Sequence, residues 1–164
     1  MERAPGSSAG PGFDRSYRGK PAEGLYPPTQ ETSPEAKEAA VREHDALCRR
    51  LIAYLERYGI FAGELVDPPV DIAWQSPAGV QMIAEVKSCS AGNDISQLRL
   101  GLGQVLEYRH RVSALRGPAS AVLLVSRVVD PAWFALCRSV GVQLITGDDE
   151  APWSELVMPS LNET

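Results

Sequence analysis

Three side chains near the middle of the chain carry the types and spacing that chemistry needs: Asp71, Glu85 and Lys87. In an extended Glu85-Val86-Lys87 run the side chains alternate, so Glu85 and Lys87 leave the same face about 7 Å apart. Asp71 precedes them in Val70-Asp71-Ile72-Ala73-Trp74, which also alternates, and a turn at Pro77-Ala78-Gly79 lies between. Folded back as a hairpin, the two segments set Asp71 and Glu85 on one face. Two carboxylates and an ammonium at the end of a half-buried sheet are costly to desolvate unless something uses them. A hard divalent cation, Mg²⁺ or Mn²⁺, is the natural user, because it takes one or two carboxylates and fills its shell with substrate oxygens and water. Lys87 is then placed to orient or help deprotonate an attacking water and to stabilise charge on a phosphoryl centre.

The elements that must hold these residues are legible on either side. Thr32-Ser33-Pro34-Glu35 supplies a hydroxyl cap followed by proline in the first turn. Apolar residues then recur at helical spacing from Val41 to Tyr58, and Gly59 is placed to end that helix in a left-handed cap. Ile60–Val66 gives a weak first strand. Val70–Trp74 puts Val70, Ile72 and Trp74 on one face with Asp71 on the other, and Val80–Val86 puts Met82, Ala84 and Val86 on its apolar face. Asn93 or Asp94 caps a second helix over about 95–115, and Gly117-Pro118 stops it. Ala121–Val125 is a continuous apolar run, the pattern of a strand buried on both faces. Asp130-Pro131 opens a short helix to about Ser139, and Val142–Thr146 is a last strand. The order helix, hairpin, helix, strand, helix, strand predicts an α/β sandwich with a central mixed sheet flanked by helices.

Composition bounds the rest. With 164 residues and 44% of them hydrophobic, the chain can build one domain with a real core. No apolar run approaches the ~20 residues of a membrane span, and no apolar segment follows the first charges as in a secretory signal. Cys48, Cys89 and Cys137 form no Cys-x-x-Cys pair, so zinc knuckles and disulfide frameworks are not indicated; isolated thiols suit a reducing, cytoplasmic setting. Residues 1–33, rich in proline and glycine, are expected to be a disordered leader, and residues 147–164, which hold all five units of the net charge of −5, an acidic tail beyond a 34–146 core domain. Against that acidity, Arg99, Arg109, Arg111 and Arg116 cluster along the second helix. An acidic chain with a locally basic helix predicts modest, salt-sensitive affinity for nucleic acid.

The Asp71…Glu85-x-Lys87 pattern resembles the active-site motif of the PD-(D/E)XK nuclease superfamily, with its restriction-endonuclease-like fold. Gln104-Val105-Leu106-Glu107-Tyr108 looks like the QxxxY signature of the RecB-like branch, and His44 lies on the helix before the sheet, where that branch often has a metal-binding histidine. The resemblance covers about residues 40–146. It implies a Mg²⁺- or Mn²⁺-dependent deoxyribonuclease. Asp71, Glu85 and the Val86 carbonyl would hold the cation, with His44 and Glu64 as further candidate ligands, and Lys87 would assist the water. Gln104 and Tyr108 would support substrate or the outer shell of the cation. The four-cysteine iron–sulfur cluster of some RecB-like nucleases is not expected.

On the second helix Gln97, Gly101, Gln104, Tyr108 and Arg111 fall along one stripe, while Ile95, Leu98, Leu102, Val105, Val112 and Leu115 form the expected core contact. Gln97 and Gln104 suit phosphate or ligand-water contacts, and Arg99, Arg109 and Arg111 flanking phosphates. Gly101 and Gly103 each cost a helix about 1 kcal/mol relative to alanine, which suits either tight packing on the sheet or close approach of a nucleic-acid strand. No GxxxxGK[ST] loop occurs, so DNA structure, a targeting partner or a homodimer would have to supply direction. A non-catalytic DNA-binding or scaffold module on the same fold, an RNA-directed nuclease or toxin effector, and an unrelated α/β domain with a surface salt-bridge lattice are the rival readings.

Overall fold

Helix α1 begins where the sequence places its cap. In the computed structural model, which describes residues 9–19, 33–90 and 92–158, α1 spans Pro34–Glu56 and Ser33 Oγ accepts the Ala36 N–H at 3.2 Å. At its other end Gly59 takes φ +72°, the Ile60 N–H donates to Leu55 O, and the Gly59 N–H donates to Glu56 O. That pair of bonds is a left-handed closure that a side chain at position 59 would strain.

Strands β1 (Ala62–Gly63), β2 (Ile72–Gln75), β3 (Gln81–Lys87), β4 (Ala119–Val125) and β5 (Val142–Thr146) form one sheet in sequential order. The first three pair antiparallel, and β3–β4 and β4–β5 pair parallel, so the sheet is mixed as expected. Parallel pairing requires crossovers, which α2 (Asp94–Arg116) and α3 (Ala132–Ser139) supply. One core packs α1 against Ile72, Trp74, Ala84, Val86, Val122 and Leu124. The other packs α2 and Cys137 of α3 against Ile83, Ala121, Leu123, Val125 and Leu144. The sheet is therefore covered on both faces, an architecture consistent with a restriction-endonuclease-like α/β sandwich.

Four expectations need correction. Val70 does not share the face of Ile72 and Trp74 but packs in the α2-side core. The chain is still turning there, with the Leu65 N–H donating to Val70 O and the Val70 N–H to Pro68 O, so alternation starts only at Ile72. On α2 the buried residues are Gln97, Leu98, Gly101, Val105, Tyr108 and Val112, whereas Ile95 and Leu115 are exposed. The buried face takes Leu98, Val105 and Val112 from the expected stripe and Gln97, Gly101 and Tyr108 from the other, so the helix is rotated part-way, with Gly101 close against the sheet.

The expected boundaries at 33 and 147 also move. Residues 9–19 lie against the domain: Phe13 enters the α2-side core, Arg15 bridges to Glu64, and the Gln81 amide donates to Gly12 O at 2.9 Å. Asp14 accepts the Val66 N–H and pairs with Arg116; burial raises its carboxyl pKa, but these partners leave it below the usual value. The remainder of the expected leader lies outside the described residues. Beyond β5, Ala151–Leu156 forms a 3₁₀ helix that buries Trp153 and Leu156 in the α1-side core. Hydrophobic anchors as sparse as Phe13 and Trp153 are drowned by the composition around them. Among the described residues no helix is long and apolar enough to cross a membrane.

The two α2 glycines separate packing from tolerance. A Cβ on Gly101 would meet Leu123 Cδ1 at 2.7 Å and Lys87 Cγ at 2.9 Å, whereas one on Gly103 would meet nothing within 4 Å. Gly103→Ala is expected to gain about 1 kcal/mol of stability from helix propensity. Gly101→Ala gains the same but overpacks the sheet at a cost of about 1–3 kcal/mol, for a net loss of about 1 kcal/mol. Urea unfolding of both variants checks the opposite signs; a stabilised Gly101→Ala would mean that α2 is not held this closely.

Candidate active site

The site is built where β2 enters the sheet and β3 leaves it. The ladder pairs Ile72 with Ala84, so Asp71 stands one position beyond, toward Glu85. Instead of continuing the ladder with its backbone, Asp71 turns its side chain to β3: Oδ2 accepts the Val86 N–H at 3.0 Å. The same oxygen meets His44 Nε2 from α1 at 3.2 Å. One carboxylate thus ties α1, β2 and the end of β3 together. On β3, Glu85 Oε1 and Lys87 Nζ are 2.8 Å apart, the same-face neighbours that alternation requires. Asp71 and Glu85 are each only 1% exposed, and the Lys87 side chain 13%. The sheet end is more deeply covered than the half-buried strand expected from the sequence.

Lys87 is positioned by its surroundings. Its stem lies against Gly101 of α2, so the missing side chain there makes room for the lysine. The backbone beyond it is clamped to the neighbouring strand: the Ser126 N–H donates to Lys87 O at 3.2 Å, and Ser126 Oγ accepts the Cys89 N–H at 2.7 Å and faces Cys89 O at 3.2 Å. Ser126 escaped notice in the sequence because it follows a buried parallel strand and carries no motif. Cys48 escaped too: its Sγ lies 3.8 Å from His44 Nδ1, one helical turn away. The i, i+4 spacing on one face of α1 was the available signal.

The remaining candidates divide. Gln97 is buried in the first turn of α2, and Tyr108 is packed in the α2-side core. Gln104, one turn beyond Gly101, has its Oε1 buried with no hydrogen-bond partner among the described residues. Glu64 is engaged elsewhere, its Oε1 held by Arg15 Nε at 2.6 Å. Arg109 donates to Gly141 O and Val140 O at 2.8 and 3.0 Å, closing the end of α3. Arg111 pairs with Asp67 and Glu107, and Arg116 with Asp14. Arg99 is exposed and makes no such pair among the described residues. The arginines adjacent in sequence therefore do not form one open basic patch. Burial, chiefly, pushes the Cys89 thiol up to about 11, far from a thiolate at neutral pH.

No group of three or more His, Cys, Asp or Glu side chains able to hold a metal is assembled among the described residues. A hard cation takes one or two carboxylates and fills its shell with substrate oxygens and water. Asp71, Glu85 and the Val86 carbonyl are oxygen groups of the kind such a cation takes, and the amide oxygen of Gln104 is buried among the described residues.

No family model and no curated protein matches the chain. Among solved structures it is similar to a repair endonuclease from Pyrococcus abyssi, with a TM-score of 0.45 and 13% identity over 62% of this chain and 46% of that one. The chain therefore spans less than half the length of that protein, and nothing in the likeness concerns the RecB-like signature.

Proposed function

We propose that the chain is a metal-dependent nuclease domain that hydrolyses DNA phosphodiester bonds at the end of β3. The observation that carries this reading is the pair of deeply buried carboxylates beside a lysine. Asp71 is bonded to the backbone of the residue next to Glu85, and Glu85 is paired with Lys87. Asp71, Glu85 and the Val86 carbonyl would hold Mg²⁺ or Mn²⁺, which when bound polarises the phosphate and acidifies a water. Lys87 Nζ would orient the water and offset charge on the phosphoryl oxygens. Gln104 holds water or substrate in place, and Gln97, Tyr108 and the exposed Arg99 border the same helix face or its flank.

A second reading has its own support. The carboxylate oxygens nearest Lys87, His44 and the Val86 N–H are already engaged, and both acids are covered. A non-catalytic DNA-binding or scaffold module would keep such a closed polar cluster.

Incubation with supercoiled, linear and single-stranded DNA, in Mn²⁺ and in EDTA, separates the two. The expected result is cleavage with Mn²⁺ that EDTA stops and Asp71→Asn abolishes. Binding without cleavage by the unaltered protein would establish the scaffold reading, and cleavage of RNA alone would move the substrate class.

A further inference from the structure

His44 lies between two partners, the Asp71 carboxylate and the Cys48 thiol. Nε2 is 3.2 Å from Asp71 Oδ2. An ionised carboxylate only accepts, so Nε2 must be the N–H. The group facing Nδ1, at 3.8 Å, is the Cys48 thiol. Cys48 is fully buried, and His44 is 8% exposed. In this arrangement neither ring nitrogen has a lone pair turned toward Asp71 or the end of β3.

We propose that His44 is a positioning residue for Asp71, donating from Nε2–H to its carboxylate, and is not a ligand of the cation. The inference rests on the nuclease reading for its consequence, but not for its geometry. By donating to Oδ2, His44 works with the Val86 N–H to fix the Asp71 carboxylate. The other carboxylate oxygen is then oriented by two bonds from two different elements. Histidines that orient ligands in this way typically change metal affinity by 10–100-fold when lost. Cys48 lies one step further back. Its thiol faces Nδ1, on the side of the ring away from Asp71.

Glutamine at position 44 keeps an N–H donor for Asp71 Oδ2, as alanine does not; because its amide oxygen can also ligate a hard cation, the imidazole NMR is the measurement that excludes ligation. Two measurements on the full chain test the proposal. Heteronuclear NMR of the imidazole, without and then with Mg²⁺, should report a proton on Nε2 in both states. Mn²⁺ titration should show His44→Gln within about 3-fold of the unaltered protein and His44→Ala weakened by roughly 10–100-fold. A switch to Nδ1–H on adding Mg²⁺, or a His44→Gln as weak as His44→Ala, would overturn the proposal in favour of direct ligation. If the unaltered protein binds no Mn²⁺, the nuclease reading fails, while the metal-free tautomer still decides the role of His44.

Discussion

Lys87→Met is expected to lose both cleavage and stability, whereas adding Glu85→Gln to it should restore stability alone. The two effects have different causes. Glu85 is 1% exposed, and its Oε1 lies 2.8 Å from Lys87 Nζ. Removing the ammonium leaves a buried charge uncompensated, which typically destabilises by about 3–5 kcal/mol. Methionine keeps an apolar stem against Gly101, so this loss reflects charge and not a cavity. Neutralising Glu85 as well replaces the ion pair by uncharged groups of similar volume, a change that is often close to neutral or favourable. Glu85→Gln alone should be milder than Lys87→Met, since the 13% exposed lysine can turn its head to water.

Catalysis does not follow that pattern. On the proposed nuclease reading both single variants and the double variant lack a group used at the phosphoryl centre, and each should fall by at least about 10²–10³-fold in single-turnover cleavage. Urea unfolding and cleavage on the same four proteins make a double-mutant cycle. A double variant that cleaves DNA as the unaltered chain does would remove Glu85 and Lys87 from the chemistry. An unchanged stability in Lys87→Met would mean that the pair does not exist as described.

What the sequence disclosed and what it hid follow from range. Alternation is a local property, so it placed Glu85 and Lys87 on one face, and the turn at Pro77–Gly79 delivered the hairpin that brings Asp71 across. Caps are local too, and Ser33 and Gly59 end α1 as expected. The continuous run at Ala121–Val125 was legible because a strand covered on both faces has no polar side. The rotation of α2 was not, because it depends on where Leu123 and Lys87 leave room, and only Gly101 records that. The arginines misled for a related reason. Proximity in sequence suggested a patch, but Asp67, Asp14 and the carbonyls after α3 come from distant segments and engage Arg111, Arg116 and Arg109 individually. Glu64 was engaged by Arg15, from a segment whose composition promised no structure.

The segment after β5 makes the largest stability prediction outside the site. Trp153→Ala is expected to destabilise the domain by about 3–5 kcal/mol, the range for a buried tryptophan. The ring is fully buried in the α1-side core, and its Nε1–H donates to Thr146 O at 2.9 Å. It meets Tyr54 edge-on with centroids 5.4 Å apart, while Arg50 stacks over it at 5.5 Å. Arg50 is also tied to Glu150 at 2.8 Å, so one of the acidic residues that suggested a loose tail helps to fasten it. Trp153→Phe keeps most of the apolar area but loses the donor to Thr146 O, and should cost about 1–2 kcal/mol, mainly the unsatisfied carbonyl at the end of β5. Truncation after Thr146 removes Trp153, Leu156 and Val157 from the same core and should be worse than Trp153→Ala. Thermal and urea unfolding of the three proteins check the ranking. If truncation leaves stability unchanged, the α1 side of the sheet is closed without this segment and the domain ends at β5.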